Sequence, residues 1–129
     1  MVNTPGPLGY VLAWLTSVLS LGVMLVPPHP LQPEPLLASA ATALALVPLS
    51  APFAAAGILL VEHTCGGAPE QWRHVLAATA AGAMAGGLLT LVSVGLVVLI
   101  PMIAASTALG RTVVIPLVWH RRRRHVVAG

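Results

Sequence analysis

Between residues 75 and 119 the sequence carries one charged residue, Arg111, and no polar loop. That run is roughly twice the 20 or so residues a helix needs to cross the hydrocarbon core of a bilayer. Two further apolar segments precede it, at residues 8–26 and 36–61. Over the whole chain 57% of residues are hydrophobic and 7% charged, with a mean hydropathy of +0.94. Soluble domains carry about a quarter charged residues, because water must solvate their surface. A chain this poor in charge must turn most of its surface towards lipid. The expected fold class is an all-α integral membrane protein: a small single-domain bundle over residues 1–119, followed by a basic tail at 120–129.

The first apolar segment, 8–26, has Tyr10 and Trp14 near its start, as an interfacial aromatic anchor would. It stops where Pro27 and Pro28 cannot continue a helix. No basic segment precedes it and no small-residue cleavage pattern follows, so it is expected to stay as a span. Residues 27–35 (PPHPLQPEP) hold five prolines in nine positions and read as a short, stiff, extended connection. The second span, 36–61, contains Pro48 and Pro52. Two prolines four apart leave carbonyls without donors, which predicts a helix kinked or briefly unwound near mid-membrane.

Residues 62–74 (EHTCGGAPEQWRH) form the clearly polar stretch between apolar segments. Gly66 and Gly67 suit a turn, and Pro69 with Glu70 suits the start of the next helix. The long apolar run then reads in two ways. In one it is a tight hairpin of two spans, 75–94 and 97–119, turning between residues 93 and 101 with Gly95 and Pro101 as punctuation. In the other it is a single third span followed by an interfacial segment.

Charge favours the four-span reading. All six basic residues are arginines, and four stand together as Arg121, Arg122, Arg123 and Arg124. The positive-inside rule then puts the C-terminus in the cytoplasm. Four spans bring Arg73 and the 62–74 connection to that same side. They also keep the lone Cys65 in a reducing compartment, where an unpaired thiol is at home. The abundance of Ala, Gly, Pro, Val and Arg without lysine suggests a GC-rich bacterial genome, and hence a bacterial plasma (inner) membrane.

Few residues offer chemistry. Arg111 is a charge within an apolar run, and such a charge is costly unless paired, hydrated or able to snorkel. Glu62 is its expected partner; a pair of this kind predicts that Arg111→Ala lowers the amount of folded protein more than Arg111→Lys. His63, Cys65 and His74 are metal-ligating types, but H-x-C-x8-H is not a recognised ligand spacing. The five histidines fall in connections, at helix ends or in the tail, which does not suit a haem held between helices. Aspartate and lysine are absent, so neither a Ser/His/Asp triad nor a lysine-bearing phosphate loop exists. No cofactor and no enzymatic activity are expected.

Ala78, Gly82 and Gly86 recur every four residues on one face of the third apolar helix. Such small-residue stripes let another backbone approach closely, either within the chain or on a partner. The arginine cluster suits topology and attraction to anionic lipid, and aromatic and polar readers of nucleic acid are missing around it. The expected function is that of a non-enzymatic accessory or assembly subunit in a larger membrane complex. The alternative is a small homo-oligomeric transporter or channel, with Pro48, Pro52 and Arg111 lining an anion-friendly path.

Overall fold

The computed structural model describes residues 4–26, 34–65 and 67–127, with backbone alone for residue 35 and residues 124–127. The 27–35 connection therefore lies almost wholly outside the described residues. Those described form helices and short turns, without strands: α1 (Gly6–Leu25), α2 (Glu34–Cys65), α3 (Gln71–Thr90), α4 (Leu99–Val113) and α5 (Ile115–Val127). A short 3-10 turn at Val94–Val98 leads into α4. The rod from that turn to the end of α5 is interrupted only at Val114, because Pro116 has no N–H to donate into the preceding turn. Three helices are long and apolar enough to cross a bilayer: Gly6–Leu25, Leu36–Cys65 and Val94–Arg123. Helix α3 matches α1 in length, at 20 residues, but opens on Gln71, Arg73 and His74.

The helices run up and down in a ring. Helix α1 packs against α2 and α4, and α3 packs against the same two, so α1 faces α3 and α2 faces α4 across the diagonals. The apolar run folds back on itself as a helical hairpin, with α3 laid along α4, although α3 is not among the helices long and apolar enough to cross a bilayer. The hairpin turn comes earlier than the sequence suggests, at residues 91–93. Pro101 sits in the first turn of α4, where a missing N–H costs nothing. Gly95 belongs to the 3-10 turn rather than to the reversal.

One expectation is corrected. Helix α2 runs through Pro48 and Pro52 without a break. Both prolines lie on its exposed side, as do Leu44 and Pro48, whose carbonyls lose their donors. The rings therefore meet no neighbouring helix, and the helix tolerates them without unwinding. They do not line an internal path. Ser50, between them, turns inward and accepts a hydrogen bond from Trp14 Nε1 at 3.0 Å. Trp14 thus stitches α1 to α2, beyond the anchoring role its position implies.

Burial is inverted relative to a soluble domain. The fully or nearly buried apolar side chains are small, namely Val18, Ala43, Val61, Val114 and Val118, while Leu44 is 72% and Leu91 82% exposed. Small residues let the helices close on one another, and large apolar ones coat the outside.

Polar groups collect at one end. Arg121 Nη1 donates to the Thr4 carbonyl at 3.3 Å, and Arg122 Nη2 to the Pro69 carbonyl at 2.7 Å. These two side chains tie α5 to the start of the described chain and to the α2–α3 connection. At the opposite end the Ser39 hydroxyl donates to the Val26 carbonyl, and the α3–α4 turn exposes Leu91 and Val92.

Candidate functional site

The small-residue stripe of α3 is used within the chain. A side chain on Gly86 would stand 2.7 Å from Ile100 Cα, and one on Gly82 would collide with the Thr107 hydroxyl. Helix α4 therefore occupies the face that the sequence left open to either neighbour. Ala78, one turn earlier, borders the space that the close approach leaves at the centre of the ring.

That space is a cavity of about 170 Å³ lined by all four rods. Trp14 and Ser17 of α1, Phe53 and Gly57 of α2, Ala81 and Ala85 of α3, and Ile103 and Ser106 of α4 are among its walls. Tyr10 and Arg111 are its ionisable lining groups among the described residues. The hydroxyls of Ser106 and Thr107 donate back to the Ile103 carbonyl of their own helix, which leaves the walls largely apolar.

Arg111 lies in the last turn of α4 and is only 4% exposed. It is held inside because its neighbour Gly110 lets α4 press against the α1 backbone at Ala13. The side chain does not snorkel. Its Nη2 donates to Gln71 Oε1 at 3.3 Å, while Nε and Nη1 are buried without a hydrogen-bond partner.

Glu62 is thus not the partner of Arg111, contrary to the sequence expectation. Helices α2 and α4 are diagonal, and among the described residues no ion pair joins the two side chains. Glu62 instead lines a separate hollow with Thr4, Tyr10 and Arg121. Gln71 went unnoticed because an uncharged amide at a helix start carries no signal by itself. Its spacing of three from His74 on a helix does place both on one face.

His74 is fully buried, with Nε2 3.1 Å from the Ala68 carbonyl. A carbonyl only accepts, so Nε2 carries the proton and Nδ1, itself buried, is left as an acceptor without a partner. His63 is exposed on α2, and Cys65 Sγ lies 3.9 Å from the Arg73 carbonyl. The three metal-ligating types of the 62–74 stretch are thus dispersed. Among the described residues no group of three or more His, Cys, Asp or Glu side chains could hold a metal ion. Glu70 is the N-terminal boundary residue of α3 and pairs with Arg73 at 3.7 Å on the surface.

Of the arginine cluster, Arg121 and Arg122 make the contacts given above, Arg123 is exposed, and Arg124 lies in α5 with its side chain outside the description. The described residues thus form an all-helical fold with three helices long and apolar enough to cross a bilayer, and a largely apolar cavity bordered by Arg111. Comparison with protein-family models, with curated proteins and with solved structures finds none that the chain matches.

Proposed function

We propose that the chain is a small multi-pass protein of a bacterial inner membrane that crosses the bilayer four times, with both termini in the cytoplasm. It serves there as a non-enzymatic accessory or assembly subunit of a larger membrane complex. The topology is supported by the contacts of Arg121 with Thr4 and Arg122 with Pro69. They gather the N-terminal segment, the α2–α3 connection and the basic end on one side, as an even number of crossings requires. The positive-inside rule then makes that side cytoplasmic.

The accessory role is supported chiefly by α2. At 32 residues it is about 48 Å long, well beyond the ~30 Å that a bilayer core requires. Leu37, Leu44, Leu49 and Leu59 all point away from the bundle. A long helix with a bare apolar side suits lateral packing against another membrane protein. With the Gly82 and Gly86 face already occupied by α4, a partner would meet α2 rather than the third helix.

The transporter or channel reading draws on a different observation, the cavity floored by Arg111. A gentle-detergent pull-down through a C-terminal tag, with native mass determination, separates the two. A stoichiometric larger membrane protein is the result expected of an accessory subunit. A lone homo-oligomer overturns that role and shifts the weight to transport.

A further inference from the structure

A guanidinium buried to this degree normally has a carboxylate beside it, because an unpaired charge in a low-dielectric interior is costly. Here the hydrogen-bond partner is the neutral amide of Gln71, and among the described residues no carboxylate forms an ion pair with the guanidinium. Two guanidinium nitrogens have no partner at all. Gln71 can occupy only one hydrogen of Nη2. Whichever edge of the guanidinium it uses, the other edge keeps two parallel N–H donors, the arrangement that matches a carboxylate fork.

Arg111 borders a space whose walls are otherwise largely apolar. Its volume, about 170 Å³, compares with the roughly 150 Å³ that suffices for a benzene ring. Apolar walls with one placed polar group form the usual anatomy of a small-molecule site. We infer that the cavity binds a small apolar carboxylate, its head on Arg111, which borders the cavity, and its body between α1, α2, α3 and α4. The part of the body held in the cavity is of ring size or a short stretch of aliphatic chain. The same chemistry reaches the site from two sources, a free acid from the aqueous side or the head of a fatty acid from the bilayer. The inference does not depend on whether the chain is an accessory subunit or a transporter.

The test is equilibrium binding of radiolabelled octanoate, benzoate and palmitate to the full chain purified in non-ionic detergent, with octanol as the uncharged control. Octanoate is expected to bind at least ten-fold tighter than octanol. Arg111→Gln should remove that advantage, and Arg111→Lys should weaken binding several-fold, since a point charge replaces the fork. Ala85→Leu, which fills the cavity and leaves the guanidinium in place, should abolish binding of all the carboxylates. Binding of octanoate or benzoate points to an aqueous acid, and binding of palmitate alone to the bilayer.

The inference is overturned if no carboxylate binds tighter than octanol to the wild-type chain. It is also overturned if folded Arg111→Gln, or folded Ala85→Leu, binds octanoate as the wild type does. Alkaline carbonate extraction runs alongside: release of the chain from membranes would refute the membrane assignment and leave the binding result standing.

Discussion

Arg122 and Pro69 are 53 positions apart in sequence, yet the Arg122 guanidinium donates to the Pro69 carbonyl at 2.7 Å. With the Arg121–Thr4 contact beside it, the arginine cluster is more than an exposed tail. It clamps the N-terminal segment and the α2–α3 connection to the last helix. Replacing Arg121 and Arg122 together by Gln should lower the thermal midpoint in detergent. Replacing Arg123, which is exposed, should leave it within error.

The hairpin depends on Gly82 and Gly86. Gly86→Leu should destabilise the chain by about 1–3 kcal/mol or more, because the added atoms meet the α4 backbone at Ile100 rather than a side chain that can move aside. Gly87 is the internal control, since a Cβ there meets nothing within 4 Å. Thermal unfolding of Gly82→Leu, Gly86→Leu and Gly87→Ala in one detergent checks this, and equal loss at all three sites would contradict the packing.

Arg111 and Gln71 should be energetically coupled, and Arg111 and Glu62 should not. A double-mutant cycle of Arg111→Met with Gln71→Ala is expected to give a coupling of about 0.5–1.5 kcal/mol. The same cycle with Glu62→Gln should be additive. Because the guanidinium has unpartnered nitrogens, Arg111→Met alone is expected to match or exceed wild-type thermal stability. The sequence-level expectation, a loss from Arg111→Ala exceeding that from Arg111→Lys, rested on an ion pair with Glu62 that the fold does not form.

The prolines of α2 give a prediction of opposite sign to a functional hinge. Pro48→Ala and Pro52→Ala each restore a backbone donor to an unbroken helix. Each should raise stability by about 1 kcal/mol or leave it unchanged. A loss of folded protein on either change would mean that the prolines shape the bundle.

The polarity of the sequence and the outcome of folding diverge at identifiable places. The end of α1 was legible because the tandem Pro27 and Pro28 leave a helix no continuation, and Gly82 and Gly86 were legible as a packing face from their spacing, while Ala78 of the same stripe borders the cavity. The hairpin turn was misplaced by a few residues because Leu91, Val92, Val94 and Leu96 are all apolar, so no polar cue marks the reversal. The partner of Arg111 was misread because a sequence does not say which helices are diagonal, and the ring sets α2 across from α4. The prolines were misread because their effect depends on the side of α2 they face, which only the packing of Ser50 against Trp14 decides.

The central claim is the four-crossing topology with the basic end in the cytoplasm, and Cys65 tests it most directly. It is the single cysteine of the chain, in the last turn of α2 beside the clamped connection. A membrane-impermeant maleimide applied to intact cells should leave Cys65 unmodified and label it after permeabilisation. In a Cys65→Ser background, a cysteine placed at Ser93 in the α3–α4 turn should show the reverse, with labelling in intact cells. Labelling of Cys65 from outside, or of both positions from the same side, would contradict the account.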